Sequence, residues 1–417
     1  MRVSFMTLVL LLFFGFQSIS AQANKTSATI EVWSWAAPEM QSVVDAVQPE
    51  FPNVKYVVNA FDYNDYQTKI KNALRAKSPT PDLYYIGDDV MEYYFSNGLA
   101  QDMKEYGFDP EKSLRGKIYD HAIDLTSRGG KFYSAGWKAA PTVLFYNSAK
   151  AKKYFGTDDP LVIGKMTKTW EGFYNFCKIV SEKSNKQDIS VFDAGLTFKN
   201  YLRATNESIV AKDGTINVDL LTRGFTYMKS LIDLGATSDV SGADGVAKLY
   251  AKDRLFSLPL APWALQYLLT VGAPESSGQW RSTYLAPSFS GFWGLVVNPF
   301  SKNKQLAVDT VKAFTTNPKH MYSLLSPTND FPVDSRVIEM MKTNKIAFLG
   351  GQNPMGLWQE SAKAIKIGAS FEPNSNLAMN AIWNSFNTMN VDSKVSAAKS
   401  VETCINDIVA QVPGAHR

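Results

Sequence analysis

Cysteine and histidine are nearly missing from this chain. Its 417 residues hold two cysteines and three histidines. His121, His320 and His416 lie far apart, and no His or Cys pair has metal-ligand spacing. The sequence therefore points to no metal site and argues against a His-based nucleophile triad. Charge of one sign is also scarce. The formal net charge is +4, or +3 without Arg2, which leaves no electrostatic footprint for nucleic acid. There is no P-loop, no G-x-G-x-x-G and no G-x-S-x-G elbow. After the first residues, no stretch is apolar enough to span a bilayer. Cys177 and Cys404 could pair in an oxidising compartment, but sequence does not place their Cα atoms within reach. Two buried helix-face thiols are the expectation.

What is present begins with a leader. Arg2 precedes the apolar run MTLVLLLFFGF over residues 6–16, and Ala21-Gln22-Ala23 is a small-x-small cleavage site. Residues 1–23 read as a secretory signal peptide, too short to cross a membrane as a helix. No Cys lies near the cleavage point to carry a lipid anchor, so an exported, soluble protein is expected. The remaining length exceeds what one core usually covers, which implies two lobes or domains.

The mature chain opens with strand, helix, strand, helix, strand. Ile30–Trp35 alternates, and Met40, Val43, Val44 and Val47 follow at helical spacing after Pro38. Val54–Val58 is a second strand. Asp65 is expected to cap a helix bearing Tyr66, Ile70 and Leu74, and Asp82–Gly87 is a buried-type strand. This order is the βαβ signature of a parallel sheet. The stretch GGKFYSAGWKAAPTVLFYN over 129–147 then reads as a strand, a Pro-broken crossing and a new strand, which is the pattern of a hinge. Further expectations are a helix capped by Thr169, a strand at Leu255–Pro259 and a helix after Pro262-Trp263. A loop is expected to enter a strand over Ser290–Val297, another loop covers Ser326–Pro332, and the tail is helical.

In open α/β sheets, ligands sit beyond the carboxyl ends of the strands. Trp33, Trp35, Asp62, Tyr63, Asp88 and Asp89 fall at such ends. Trp137 and Lys138 lie at the first crossing, Trp263 follows a later strand, and Phe292 and Trp293 mark a second crossing. Rings with a few carboxylates suit a polyol, because sugar C–H faces lie flat on aromatic rings and carboxylates accept from hydroxyls. A single Trp is more often core than platform, and paired aspartates often cap a helix. The recurrence of such pairs at successive strand ends favours ligand binding. The competing reading is a secreted carbohydrate-active hydrolase using Asp62 with Asp88 or Asp89. Asp88 and Asp89 are adjacent, which makes them a poor pair on opposite sides of one bond.

The segments IEVWSW, PTPDLYYIGDD, GGKFYSAGWKAAPTVLFYN, KTWEGFYNFCK, LFSLPLAPWAL, SGFWGLVV, SKNKQLAVDTVKAF and NDFPV stand in a telling order. The chain resembles the extracellular solute-binding proteins of bacterial ABC transporters, in the carbohydrate-binding group that includes maltose-binding protein. It departs from the family at Lys168, where a Pro is usual, and at Ser290 and Phe292-Trp293. The resemblance implies a two-lobed periplasmic-binding-protein fold of type II. Each lobe would be a mostly parallel sheet flanked by helices, and three hinge crossings would join them. Lobe one would comprise residues 28–138 and 290–331, lobe two 139–289 and 332–412. The implied ligand contacts are Trp35, Tyr63, Asp88, Asp89, Lys138, Trp263, Trp293, Asn329 and Trp358. A periplasmic monomer is implied that binds a sugar or oligosaccharide, docks on membrane permease subunits, and needs no cofactor or metal.

Overall fold

A computed structural model of the chain describes residues 28–367 and 373–417. The expected signal peptide, residues 1–23, lies outside the described residues. In chain order the strands are β1 (Ala28–Ser34), β2 (Val54–Ala60), β3 (Leu83–Gly87), β4 (Ser127–Arg128), β5 (Lys131–Phe132), β6 (Ser134–Ala135), β7 (Ala140–Asn147), β8 (Ser257–Leu260), β9 (Trp280–Gly291) and β10 (Trp293–Val297). The first three helices are α1 (Ala37–Val47), α2 (Tyr63–Arg75) and α3 (Asp88–Ser96).

Two sheets organise these elements. One runs β2–β1–β3–β10–β6 and the other β8–β7–β9, with β4 and β5 forming a separate small hairpin. In β1, Ile30, Val32 and Ser34 alternate inward, and β3 is buried at every residue. A strand covered on both faces reads as a continuous apolar run, and β3 does. α1 follows β1 with Pro38 in its first turn and buries Met40, Val43, Val44 and Val47. Each such side chain contributes roughly 1.5–3 kcal/mol on burial, so this face fixes α1 against its sheet.

The α/β organisation is the expected one, but strand direction is not. β1 pairs parallel with β2 and β3, whereas β10 runs antiparallel to both β3 and β6. In the second sheet both pairings of β7 are antiparallel. Parallel pairing appears beside it only as isolated bridges, Ile189 with Leu255 and Val191 with Thr237. A mostly parallel sheet in each lobe is therefore corrected. The stretch 280–297 accounts for most of it, returning through both sheets in succession and entering each one antiparallel, and β8 adds a further antiparallel neighbour to β7.

Three chain segments run between the sheets. Residues 136–139 join β6 to β7, Phe292 joins β9 to β10, and residues 330–333 run alongside. They are tied together: the Ala139 amide donates to the Phe331 carbonyl (2.9 Å) and the Val333 amide to the Trp137 carbonyl (3.0 Å). A Cβ at Gly136 would lie 2.2 Å from the Trp293 carbonyl oxygen and 2.6 Å from the Phe292 ring. Only glycine permits that approach. Pro141 is inside β7, where the register with β9 shifts on either side of it. A missing N–H is accommodated at such an irregularity.

Several local expectations change. α2 starts at Tyr63, which puts Asp65 in its first turn rather than at its cap. Lys131–Ala135 divides into β5 and β6, which pair with different partners. The twelve-residue β9 was not expected, and of the expected loop Ser326–Pro332 the first three residues end a Pro318–Thr328 helix that continues through Pro327, leaving 329–332 outside helix. Thr169 does cap its helix, accepting from the Gly172 amide at 3.0 Å. Cys177 and Cys404 are both free and buried.

Candidate ligand-binding site

The ends of β1 and β3, the first turns of α1 and α2, and two crossings converge on a cavity of about 520 Å³. Trp35 stands on its floor, held edge-on by Tyr63 (5.4 Å between centroids) and Tyr66 (5.0 Å), with Tyr85 tilted against it at 5.0 Å. Tyr85 in turn stacks on buried Trp137 at 5.5 Å. Trp293, the first residue of β10, and Trp263 and Tyr267, which follow β8, supply the other walls. Tyr63 and Tyr267 are 56% and 47% exposed, so they form the mouth rather than the floor.

One ion-paired cluster interrupts this aromatic lining. The Lys138 ammonium donates to Glu39 Oε2 at 2.9 Å and lies 3.5 Å from Asp330. Trp137 Nε1–H donates to Glu39 Oε1 at 2.8 Å. Burial alone lowers the Lys138 pKa, but Tyr85, Glu39 and Asp330 outweigh it and hold the ammonium well above its ordinary range. Burial pushes the Asp330 carboxyl up, with Lys138 opposing. The Lys138 Nζ also sits 5.9 Å from the ring centroids of both Tyr267 and Trp293. A fixed cation and a fixed carboxylate beside flat rings provide donors, acceptors and stacking surface together. Glu39, Lys138 and Tyr267 also line an adjoining cavity of about 320 Å³.

Of the nine expected contacts, Trp35, Tyr63, Lys138, Trp263 and Trp293 line the aromatic cavity. The other four do not. Asp88 is spent: one carboxylate oxygen meets the Arg203 guanidinium, and the other accepts from the Phe292 amide at 3.0 Å. Its place as first residue of α3 turns it onto the β9–β10 crossing. Burial raises the Asp88 pKa, but Arg203 and then Lys199 reverse that and hold it below its usual range. Asp89 faces a different cavity of about 500 Å³, together with Lys199, Arg203 and Trp383. Burial, reinforced by Asp88, raises its pKa. Asn329 is the left-handed residue that ends the Pro318–Thr328 helix (φ 55°) and lines none of these cavities. Trp358 is core: fully buried, it donates to Ser282 Oγ at 2.8 Å and meets Phe145 edge-on.

The hydrolase pairing fares no better. Asp88 is locked in its ion pair and Asp89 opens on another cavity, so neither flanks the aromatic one. Among the described residues, no three His, Cys, Asp or Glu group as metal ligands. Glu39, Tyr85 and Tyr267 belong to the cavity yet were not among the expected contacts. Two carried a readable signal. Glu39 lies in the helical turn just after a strand end, and Tyr267 falls four residues from Trp263, on the same helical face.

A family model described as bacterial extracellular solute-binding protein matches residues 42–347. The arabinooligosaccharide-binding protein of Bacillus subtilis (strain 168) is 26% identical over 247 residues, 56% of this chain and 54% of that one. The match thus spans about half the length of that relative. A solved structure described as an extracellular solute-binding protein of family 1 superposes with TM-score 0.81 at 13% identity, covering 92% of this chain and 99% of that one. The ABC transporter-associated binding protein from B. animalis subsp. lactis Bl-04, solved with beta-1,6-galactobiose, gives 0.72 at 19% identity, covering 92% and 98%. The sugar-binding protein MalE from Xanthomonas citri gives 0.72 at 14%, covering 92% and 98%. At these identities the likeness is one of fold, and the fold is the expected periplasmic-binding-protein type.

Proposed function

The chain belongs to the bacterial extracellular solute-binding protein family, and from that membership we propose that it captures a sugar or short oligosaccharide in the aromatic cavity. Such a protein binds its solute and does not transform it. The observation that carries the sugar reading is the ring lining around the fixed Lys138–Glu39 pair. Sugar C–H faces stack on indole and phenol rings, while charged groups anchor the hydroxyls. The lobes are taken to divide at the crossings, with residues 28–138 and 290–331 in one and 139–289 and 332–412 in the other. Rotation about the crossings closes the cavity, and the closed form delivers the sugar, as a monomer, to the permease subunits of an ABC importer. Removal of residues 1–23 releases the protein to the periplasm, where N-terminal sequencing should read from about Asn24. An intact Met1 on exported material refutes that part.

A thermal-shift screen of neutral sugars, uronates and amino sugars tests the binding itself, because a ligand that binds only the folded state raises the melting temperature. The hit should be recovered chemically unchanged after long incubation with stoichiometric protein, and Trp35→Ala should abolish the shift. A panel with no hit refutes the sugar reading.

A further inference from the structure

We infer that the aromatic cavity takes uncharged sugars and rejects carboxylated ones, and that Glu39 and Asp330 set this preference through Lys138. The inference deepens the proposed sugar-binding role and rests on it. Lys138 is the one cation among the described residues that line the cavity, and Glu39 the one carboxylate. The cation is already committed. Glu39 holds it at 2.9 Å, and Asp330, behind it in the adjoining cavity, lies 3.5 Å away. Lys138 and Glu39 side chains are each 10% exposed and Asp330 4%, so solvent screens the cluster little. Two carboxylates around one ammonium leave a negative excess at the only charged point of the wall.

The two ligand chemistries meet this cluster differently. A hydroxyl is suited to it. Each Glu39 oxygen accepts one protein donor, Trp137 or Lys138, and retains a second lone pair for a sugar O–H. A ligand carboxylate finds no uncommitted cation and stands close to Glu39. The cations Lys199 and Arg203 line the separate cavity beyond Asp89, and Arg203 is paired there with Asp88. Rejection of the wrong ligand thus comes from a built-in repulsive element as well as from fit.

The test compares a neutral sugar identified by thermal shift with its uronate counterpart, by calorimetric titration. The wild type should bind the uronate at least tenfold more weakly, the size of one uncompensated charge ~8–10 Å away at an effective dielectric of ~20. Glu39→Gln and Asp330→Asn each cancel the negative excess, so each should narrow the neutral-to-uronate ratio about tenfold. Asp330 does not line the aromatic cavity, so its variant reports charge even if Glu39→Gln perturbs folding. Equal affinity of the wild type for both sugars overturns the inference, and so does a ratio unmoved by both substitutions. Uronate binding that vanishes in Lys199→Met overturns it too, by placing the carboxylate in the other cavity. A protein that binds no sugar at all refutes the sugar reading itself, and this inference falls with it.

Discussion

Replacing Arg203 with methionine should be among the most damaging changes in this protein that leaves the aromatic cavity intact. The Arg203 and Asp88 side chains are 2% and 4% exposed. Removing the guanidinium strands a carboxylate whose remaining protein donor is the Phe292 amide. Breaking a buried pair from one side typically costs 3–5 kcal/mol, mostly the penalty of the abandoned charge. Removing both charges, as Asp88→Asn with Arg203→Met, should recover a substantial part of that loss. The pH dependence supplies a second signature. In the wild type the Asp88 pKa is held low, so its contribution is present above the unfolded carboxyl value and lost as pH falls through the lower folded one. Without Arg203, only Lys199 and the Phe292 amide oppose burial, so the folded pKa rises relative to the wild type. The loss relative to wild type is then full at neutral pH, and protonation narrows it as pH falls. Urea midpoints read by near-UV circular dichroism at pH 7, pH 5 and pH 3 measure both effects. Arg203→Met within ~1 kcal/mol of wild type, or a double variant costing the sum of the singles, refutes the reasoning.

Trp263→Ala should weaken sugar binding by ~2 kcal/mol or more, as a buried aromatic anchor does, with the melting temperature of the free protein nearly kept. A collapsed melting temperature with affinity intact makes Trp263 a core residue instead. Trp358→Ala should do the opposite, costing about 3–5 kcal/mol of stability through its cavity, and a neutral result in urea unfolding contradicts its placement. Burial lowers the His121 pKa to about 4, with Asp120 opposing. The neutral ring therefore adds stability above about 6.5 that is lost as pH falls from there toward 4. His121→Phe should flatten that part of the pH–stability curve, and an unchanged slope rejects the assignment.

Periodicity made the first half of the fold legible. The inward faces of β1 and α1 are spelled out by Ile30, Val32, Met40, Val43 and Val47, and Gly136 with Pro141 marks the crossing. β9 was not legible, because its buried residues include Ser282, Thr283, Ser288 and Ser290, and Pro287 interrupts it. Polar residues on a buried strand erase the alternation that reveals one. At the site, rings at strand ends were readable, since local order places them. Asp88 was misjudged because Arg203, its partner, comes 115 residues later in the chain. Trp358 and Trp263 look alike as letters, and only packing separates a core indole from one at a cavity wall.

Lys138 lies in one of the three segments that pass between the sheets, Trp293 directly follows another, and the Trp293 carbonyl rests against Gly136. Grip and pivot are thus made of the same few residues. If the halves rotate, the angle between them and the spacing of these two side chains form a single coordinate. A ligand that spans that spacing acts as a gauge block: its width sets how far the jaws turn. Solutes of different breadth should then leave the protein in measurably different degrees of closure, and a transport partner that reads shape would be reading the size of the cargo.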